Sequence, residues 1–200
     1  MKLKKIAKNC LLALLILAVA SCSDLEEDPV GLLSPEVFFS TKADVEASMM
    51  GAYGLMASEQ YYGRKLQLTL MLRGDMFDIG DRNTPARRQQ ANDFTMDSNN
   101  GMVTGFWPMA YRVVGACNTT IQGANLVGLD DNDVRSLEAE ARFVRAFTYF
   151  HLVRWFGDVP YIDQEISDPN SLKDISRTSS DEVYDGIIAD LEYAKEYLLN

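Results

Sequence analysis

AEARFVRAFTYFHLVRWFGDVPY, residues 139–161, is the stretch on which the fold turns. Its apolar residues recur every third or fourth place, the period of a helix rather than a strand. Extending the pattern back to Val134 and Leu137 gives a helix from about Asn132 to Phe156, with Asp130 or Asp131 as its cap. One ridge carries Val134, Leu137, Ala141, Val144, Thr148, His151 or Leu152, and Trp155. A second holds Phe143, Phe147 and Phe150, and burial of both would pack the helix on two sides. Gly157 can end it as a left-handed cap, and Pro160 keeps it from resuming.

Further helices flank this one. FWPMAYRVVGACNTTIQGANLV, residues 106–127, reads as a helix with Pro108 in its first turn and Trp107, Tyr111, Val114, Asn118 and Ile121 on one face. Ser179, Ser180 or Asp181 caps another, whose stripe is Val183, Tyr184, Ile187, Ile188, Leu191, Ala194 and Leu198. Residues 40–58 form a helix behind Ser40 or Thr41, with Val45, Met49, Ala52, Tyr53 and Met56 in register; Gly51 and Gly54 inside it weaken it or let a neighbour approach closely. Lys65 to Leu72 fits a strand or a buried helix equally well. Paired helices with short links predict an all-α chain of stacked, tetratricopeptide-like pairs.

Residues 73–105 differ from their surroundings. They are polar, with turn signals at Asn83-Thr84-Pro85 and Asn99-Asn100-Gly101. Long connections of this kind are often functional. Asp75, Asp78 and Asp81 recur every third residue. They could hold Ca²⁺ or supply a glycosidase acid and base, but the spacing is not that of an EF-hand, and a solvated turn-rich loop explains them better. Arg82, Arg87 and Arg88 form a basic spot suited to sugar hydroxyls or a carboxylate. The loop offers Phe77 and Phe94 as aromatic platforms, while Trp107 is assigned to the core. Residues 158–178 form a second loop, and Trp155 to Pro160 read as a packing corner.

The first residues set the compartment. Lys2, Lys4, Lys5 and Lys8 precede the uncharged run CLLALLILAVA, residues 10–20, which is too short to span a bilayer. A basic start, a short apolar run and small residues before a cut site describe an export signal. Val19-Ala20-Ser21-Cys22 resembles the lipobox of bacterial lipoproteins, with valine in place of the usual leucine. That resemblance implies a signal peptide over residues 1–21, lipidation of Cys22, and an acidic tether over residues 22–40. Loss of the signal would remove four lysines and no acid, taking the net charge from −10 to −14. Such a chain is unsuited to nucleic acid, whose phosphates need clustered Lys and Arg. Of three cysteines, only Cys117 would remain as a free thiol, and it reads as a small buried hydrophobe. The single histidine, His151, reads as a packed residue, and no nucleophile elbow, cofactor motif or metal cluster stands out.

Together FWPMAYRVVGACNTTI, AEARFVRAFTYFHLVRWFGDVPY and ISRTSSDEVYDGIIADLEYAKEYL, following SCSDLEEDP and SPEVFFSTKADVEASMMGAYGLM, resemble the SusD/RagB family of outer-membrane nutrient-binding lipoproteins. The resemblance spans nearly the whole chain, and RAFTYFHLVRWFGDVPY is its most specific piece. It implies that residues 41–200 are the N-terminal helical domain of a longer protein, with long irregular loops as the ligand face. It further implies capture of a nutrient, usually a glycan, at the outer face of the outer membrane. Delivery to a SusC-like TonB-dependent transporter and the absence of enzymatic activity follow from it too. Arg73, Asp75, Asp78, Asp81 and Arg82 are the expected ligand-face residues, with no cofactor or metal. The competing readings are a lipid-anchored hydrolase, a helical scaffold that binds only protein, and a peptide-capturing member.

Overall fold

The computed structural model describes residues 38–166 and 168–198. The predicted signal peptide, Cys22 and most of the predicted acidic tether lie outside the described residues. Among the described residues six α-helices follow in order: α1 (Lys42–Met56), α2 (Lys65–Leu72), α3 (Ala86–Asn92), α4 (Val103–Leu126), α5 (Asp131–Phe156) and α6 (Ser180–Tyr197). A 3₁₀ turn, Pro169–Asp174, interrupts the second loop. No strand occurs among the described residues; the one β contact is an isolated antiparallel bridge between Val159 and Thr178.

Local chemistry sets the ends of these helices. Thr41 caps α1 in a reciprocal capping box with Asp44, and Ser179 does the same for α6 with Glu182. Asp130 accepts from the backbone N–H groups of Asn132 and Asp133 at the start of α5. Gly157 ends α5 at φ 70° and ψ −125°, a conformation close to glycine-only but outside the left-handed helical cap that the sequence suggested. α2 buries Leu66, Thr69 and Leu72, a three-residue spacing that decides for helix over strand.

α1 packs antiparallel to α4, α4 to α5, and α5 to α6. Met49, Phe106, Val113, Val144, Tyr149, Leu152 and Ile187 lie at the centre of the core. At its far end Phe39 is buried with Val45, Ala124 and Leu137. The tether predicted to reach residue 40 is therefore already folded at Phe39, because α4 offers that ring a seat over Gly123. A side chain at Gly123 would run into the ring. Gly51 and Gly54, by contrast, face open space, so neither admits a close neighbour.

Two further expectations change. Phe143 and Phe150 are 45% and 37% exposed, so the second ridge of α5 is a surface and not a second buried face. Tyr184, Ile188 and Leu191 on α6, and Leu198 just after it, are likewise exposed, leaving Val183, Ile187 and Ala194 to pack. The polar stretch 73–105 is not all loop either. It contains α3 behind Pro85, and α4 begins within it at Val103.

One buried polar network ties three helices to the second loop. Arg145, 3% exposed, donates from Nε and Nη2 to both carboxylate oxygens of Asp190, each at 2.8 Å. Its Nη1 reaches Asn118 Oδ1 at 2.7 Å and the Asp163 carbonyl at 2.6 Å. Asn118 in turn donates to the carbonyls of Ile162 and Gln164. Burial alone would lower the guanidinium's pKa, but the hydrogen bonds and charge of Asp190 outweigh it and hold the group above its ordinary value.

Candidate functional site

The stretch after α2 carries the predicted ligand-face residues. Arg73, Asp75, Asp78, Asp81 and Arg82 are all exposed. Asp78 Oδ1 accepts from the Ile79 N–H at 2.7 Å and from Asn92 Nδ2 at 2.9 Å, which depresses its pKa and fastens the loop to the end of α3. Asp81 Oδ1 accepts from the Asn83 N–H at 2.9 Å and its amide at 3.1 Å, closing a local turn. Arg82 lies 3.9 Å from Asp93. The acids thus shape the loop separately. Among the described residues no group of three or more His, Cys, Asp or Glu could hold a metal ion.

Arg73 has a different environment. Its guanidinium sits 4.6 Å from the centre of the Phe94 ring. Phe94 is 62% exposed and has φ 58°. It follows the C-cap Asp93 of α3, and the next residue, Thr95, donates its N–H to the Gln90 carbonyl at 2.9 Å. This is the closing bond of a Schellman turn, in which Phe94 occupies the place that glycine favours. A bulky residue in the left-handed region costs about 1–2 kcal/mol. The chain here keeps an aromatic ring at that cost, on the surface, beneath an arginine.

The turn is anchored from behind by Asn100, which is buried. Its amide donates to the Arg87 carbonyl at 3.0 Å and to Gln90 Oε1 at 2.7 Å, while its Oδ1 accepts from the Met102 N–H at 2.8 Å. The Asn-Asn-Gly signal marked a turn at this point. It carried no sign that the side chain reaches back to α3.

A cleft of about 440 Å³ opens beside Arg73. α2 contributes Thr69 and Leu70, Met96 and Val103 close one side, and the end of α5 supplies Arg154, Trp155 and Phe156. Trp155 packs on Phe106 at 4.8 Å, so the corner that the sequence assigned to packing also forms a cleft wall. Asp75, Asp78, Asp81 and Arg82 do not line the cleft. Trp107 meets Phe156 edge to face and Tyr111 at a tilt, half-buried against the core to which the sequence assigned it.

His151 is a packed residue. It is buried, and its Nε2 lies 2.9 Å from the Tyr62 hydroxyl. Burial, with a smaller push from Arg154, lowers its pKa to about 4. Cys117 is free and buried, and burial pushes its thiol up to about 12. Neither group is set up as a nucleophile or a base near neutral pH.

Residues 24–200 match the family model described as SusD-like, starch-binding and associating with the outer membrane. The chain belongs to the SusD-like family. It is 55% identical over 184 residues to the SusD-like protein P2 of Formosa agariphila, covering 92% of this chain and 36% of that one. The SusD-like protein P25 of the same organism is 29% identical, over 97% of this chain and 38% of its own length. The chain therefore spans somewhat over a third of the length of these curated relatives. Among solved structures, a SusD homolog from Bacteroides thetaiotaomicron superposes with a TM-score of 0.73 at 21% identity, covering 82% of this chain and 31% of that one. Surface glycan-binding protein A from Bacteroides fluxus superposes at 0.65 with 27% identity, over 78% of this chain and 33% of its own. The helical architecture is thus that of SusD-like proteins. No helix among the described residues is long and apolar enough to cross a membrane.

Proposed function

We propose that this protein captures a glycan at the cell surface and passes it to a SusC-like TonB-dependent transporter, without chemically altering it. The observation that carries this reading is the pairing of Arg73, which lines a cleft, with the exposed ring of Phe94. Sugar sites combine a flat apolar platform for C–H faces with charged donors for hydroxyl groups. A ring kept where glycine is favoured is the kind of local strain that collects at binding sites. Membership of a family described as starch-binding, and the glycan-binding neighbour from B. fluxus, point the same way.

In this reading Arg73 contacts the ligand, Asp78 and Asp81 hold the loop that presents it, and Asp75 and Arg82 lie on the same face. Cys22 carries the lipid that ties the protein to the outer membrane, facing outward. Residues 1–21 are the export signal. The neutral His151 and the protonated Cys117 favour binding over turnover.

The test is calorimetry of the full-length protein against a panel of soluble glycans, with chromatography of each glycan afterwards. Saturable binding to an unaltered glycan supports the reading. Shortened chains would instead reveal a hydrolase. A stable complex with the transporter, combined with no heat from any glycan or peptide, would indicate a protein-binding scaffold; heat from peptides alone would indicate peptide capture.

A further inference from the structure

We infer that the cleft beside Arg73 selects acidic glycans, seating a uronate carboxylate or a sulfate ester between Arg73 and Arg154. This rests on the glycan-capture reading and narrows its ligand class.

The composition of the cleft is the first argument. Its two charged wall residues are both arginines, and no Asp or Glu lines it. This occurs in a chain with 29 acidic and 19 basic residues. At about 440 Å³ the space falls within the usual range for small-ligand sites, about 300–1,000 Å³.

The second argument is how the arginines are held. Arg154 lies 4.6 Å from the centre of the Phe150 ring, as Arg73 does from Phe94. Neither forms an ion pair with a described residue. A guanidinium laid on a ring is oriented while its charge stays unneutralised, and its N–H edges remain open for a planar anion. Arg145, by contrast, spends the same fork on Asp190.

The third argument is the balance of donors and acceptors. Thr69 donates its hydroxyl to the Lys65 carbonyl at 2.7 Å and is only 2% exposed. Trp155 adds an indole N–H, which donates and cannot accept. The side chains of the cleft therefore offer donors and almost no strong acceptor. A neutral sugar hydroxyl is served best when it both donates and accepts. A carboxylate or sulfate only accepts, so it matches this wall. The half-buried Trp155 and Phe156 supply apolar surface for the ring that bears it.

The experiment titrates the full-length protein with two matched pairs: polygalacturonate against its fully methyl-esterified form, and dextran sulfate against dextran. The acidic member of at least one pair is expected to bind about tenfold tighter or better, with a preference that shrinks as salt rises. Comparing the pairs distinguishes carboxylate from sulfate recognition. Arg154→Gln should reduce the acidic affinity about tenfold, and Arg154→Lys, which keeps charge but loses the fork, should restore only part of it. Circular dichroism of each variant checks that it is folded. Neutral glycans binding as tightly as their acidic partners would overturn the proposal and leave glycan capture standing. Acidic binding unaffected by folded Arg73→Gln and Arg154→Gln would overturn the placement. Binding of no glycan at all would remove the capture reading, and this proposal with it.

Discussion

Arg145 and Asp190 meet as a two-pronged pair, with both nitrogen–oxygen distances at 2.8 Å and both residues buried. The pair joins α5 to α6, and the remaining Nη1 bonds extend it to α4 and the 158–178 loop. Replacing a buried pair by apolar groups can be neutral, but removing one partner leaves a charge without compensation. Asp190→Ala is therefore expected to cost about 3–5 kcal/mol. Chemical denaturation measures it. A loss below about 1 kcal/mol would mean that water or Asn118 satisfies Arg145 without Asp190.

Asn100 does for the candidate site what Arg145 does for the core. It holds α3 against the start of α4 through three hydrogen bonds. Asn100→Ala strands the Met102 N–H and the Gln90 side chain, at about 1–3 kcal/mol for each buried group that finds no water. The effect should be local. Amide exchange should speed up between Ala86 and Met102 well before it changes in α5. Uniform acceleration across both regions would show that Asn100 supports the global fold instead.

The long helices could be read from the sequence because each shows several turns of one period and a recognisable cap. Asp130 and Ser179 stand where capping chemistry requires them. α2 was ambiguous because eight residues rich in leucine fit either period. α3 went unread because ARRQQAN has no apolar stripe and buries only Ala91. The exposed aromatic ridge was misjudged for a related reason: periodicity reports that a face is apolar, not that something covers it. At the site, Arg73 and Phe94 were each picked out by their loop, but their pairing was not, and Arg154 was not marked at all. Phe94 and Arg154 come to it through chain closure, and no local spacing encodes that.

Phe94 allows binding and stability to be separated. Its φ of 58° is costly for phenylalanine and easy for glycine. Phe94→Gly should leave the fold intact and raise stability by up to about 1 kcal/mol. It also removes the ring beneath Arg73, so glycan affinity should fall about tenfold, in keeping with aromatic contacts worth about 0.5–1.5 kcal/mol. Thermal unfolding and calorimetry on the same preparation decide the matter. A variant that loses both stability and binding would make Phe94 a structural residue.

His151 supplies a pH test with a defined sign. Its ordinary pKa of 6.5 falls to about 4 in the folded chain, chiefly through burial among Tyr61, Tyr62 and Phe147, with Arg154 adding to the shift. Above pH 6.5 the imidazole is neutral whether the chain is folded or not, so it adds no pH dependence. As the pH falls from 6.5 toward 4, the unfolded chain takes up a proton that the folded chain refuses, and stability is lost through that window. Carboxylates such as Asp78 and Asp158, whose pKa values are lowered by hydrogen bonds, lose their contributions only at lower pH. His151→Gln keeps a polar partner for the Tyr62 hydroxyl but cannot titrate. Its unfolding free energy should therefore run flatter than that of the parent between pH 6.5 and 4, whatever its absolute value. Parallel curves would mean that the imidazole accepts its proton in the folded state, and that the aromatic pocket opens to water to let it do so.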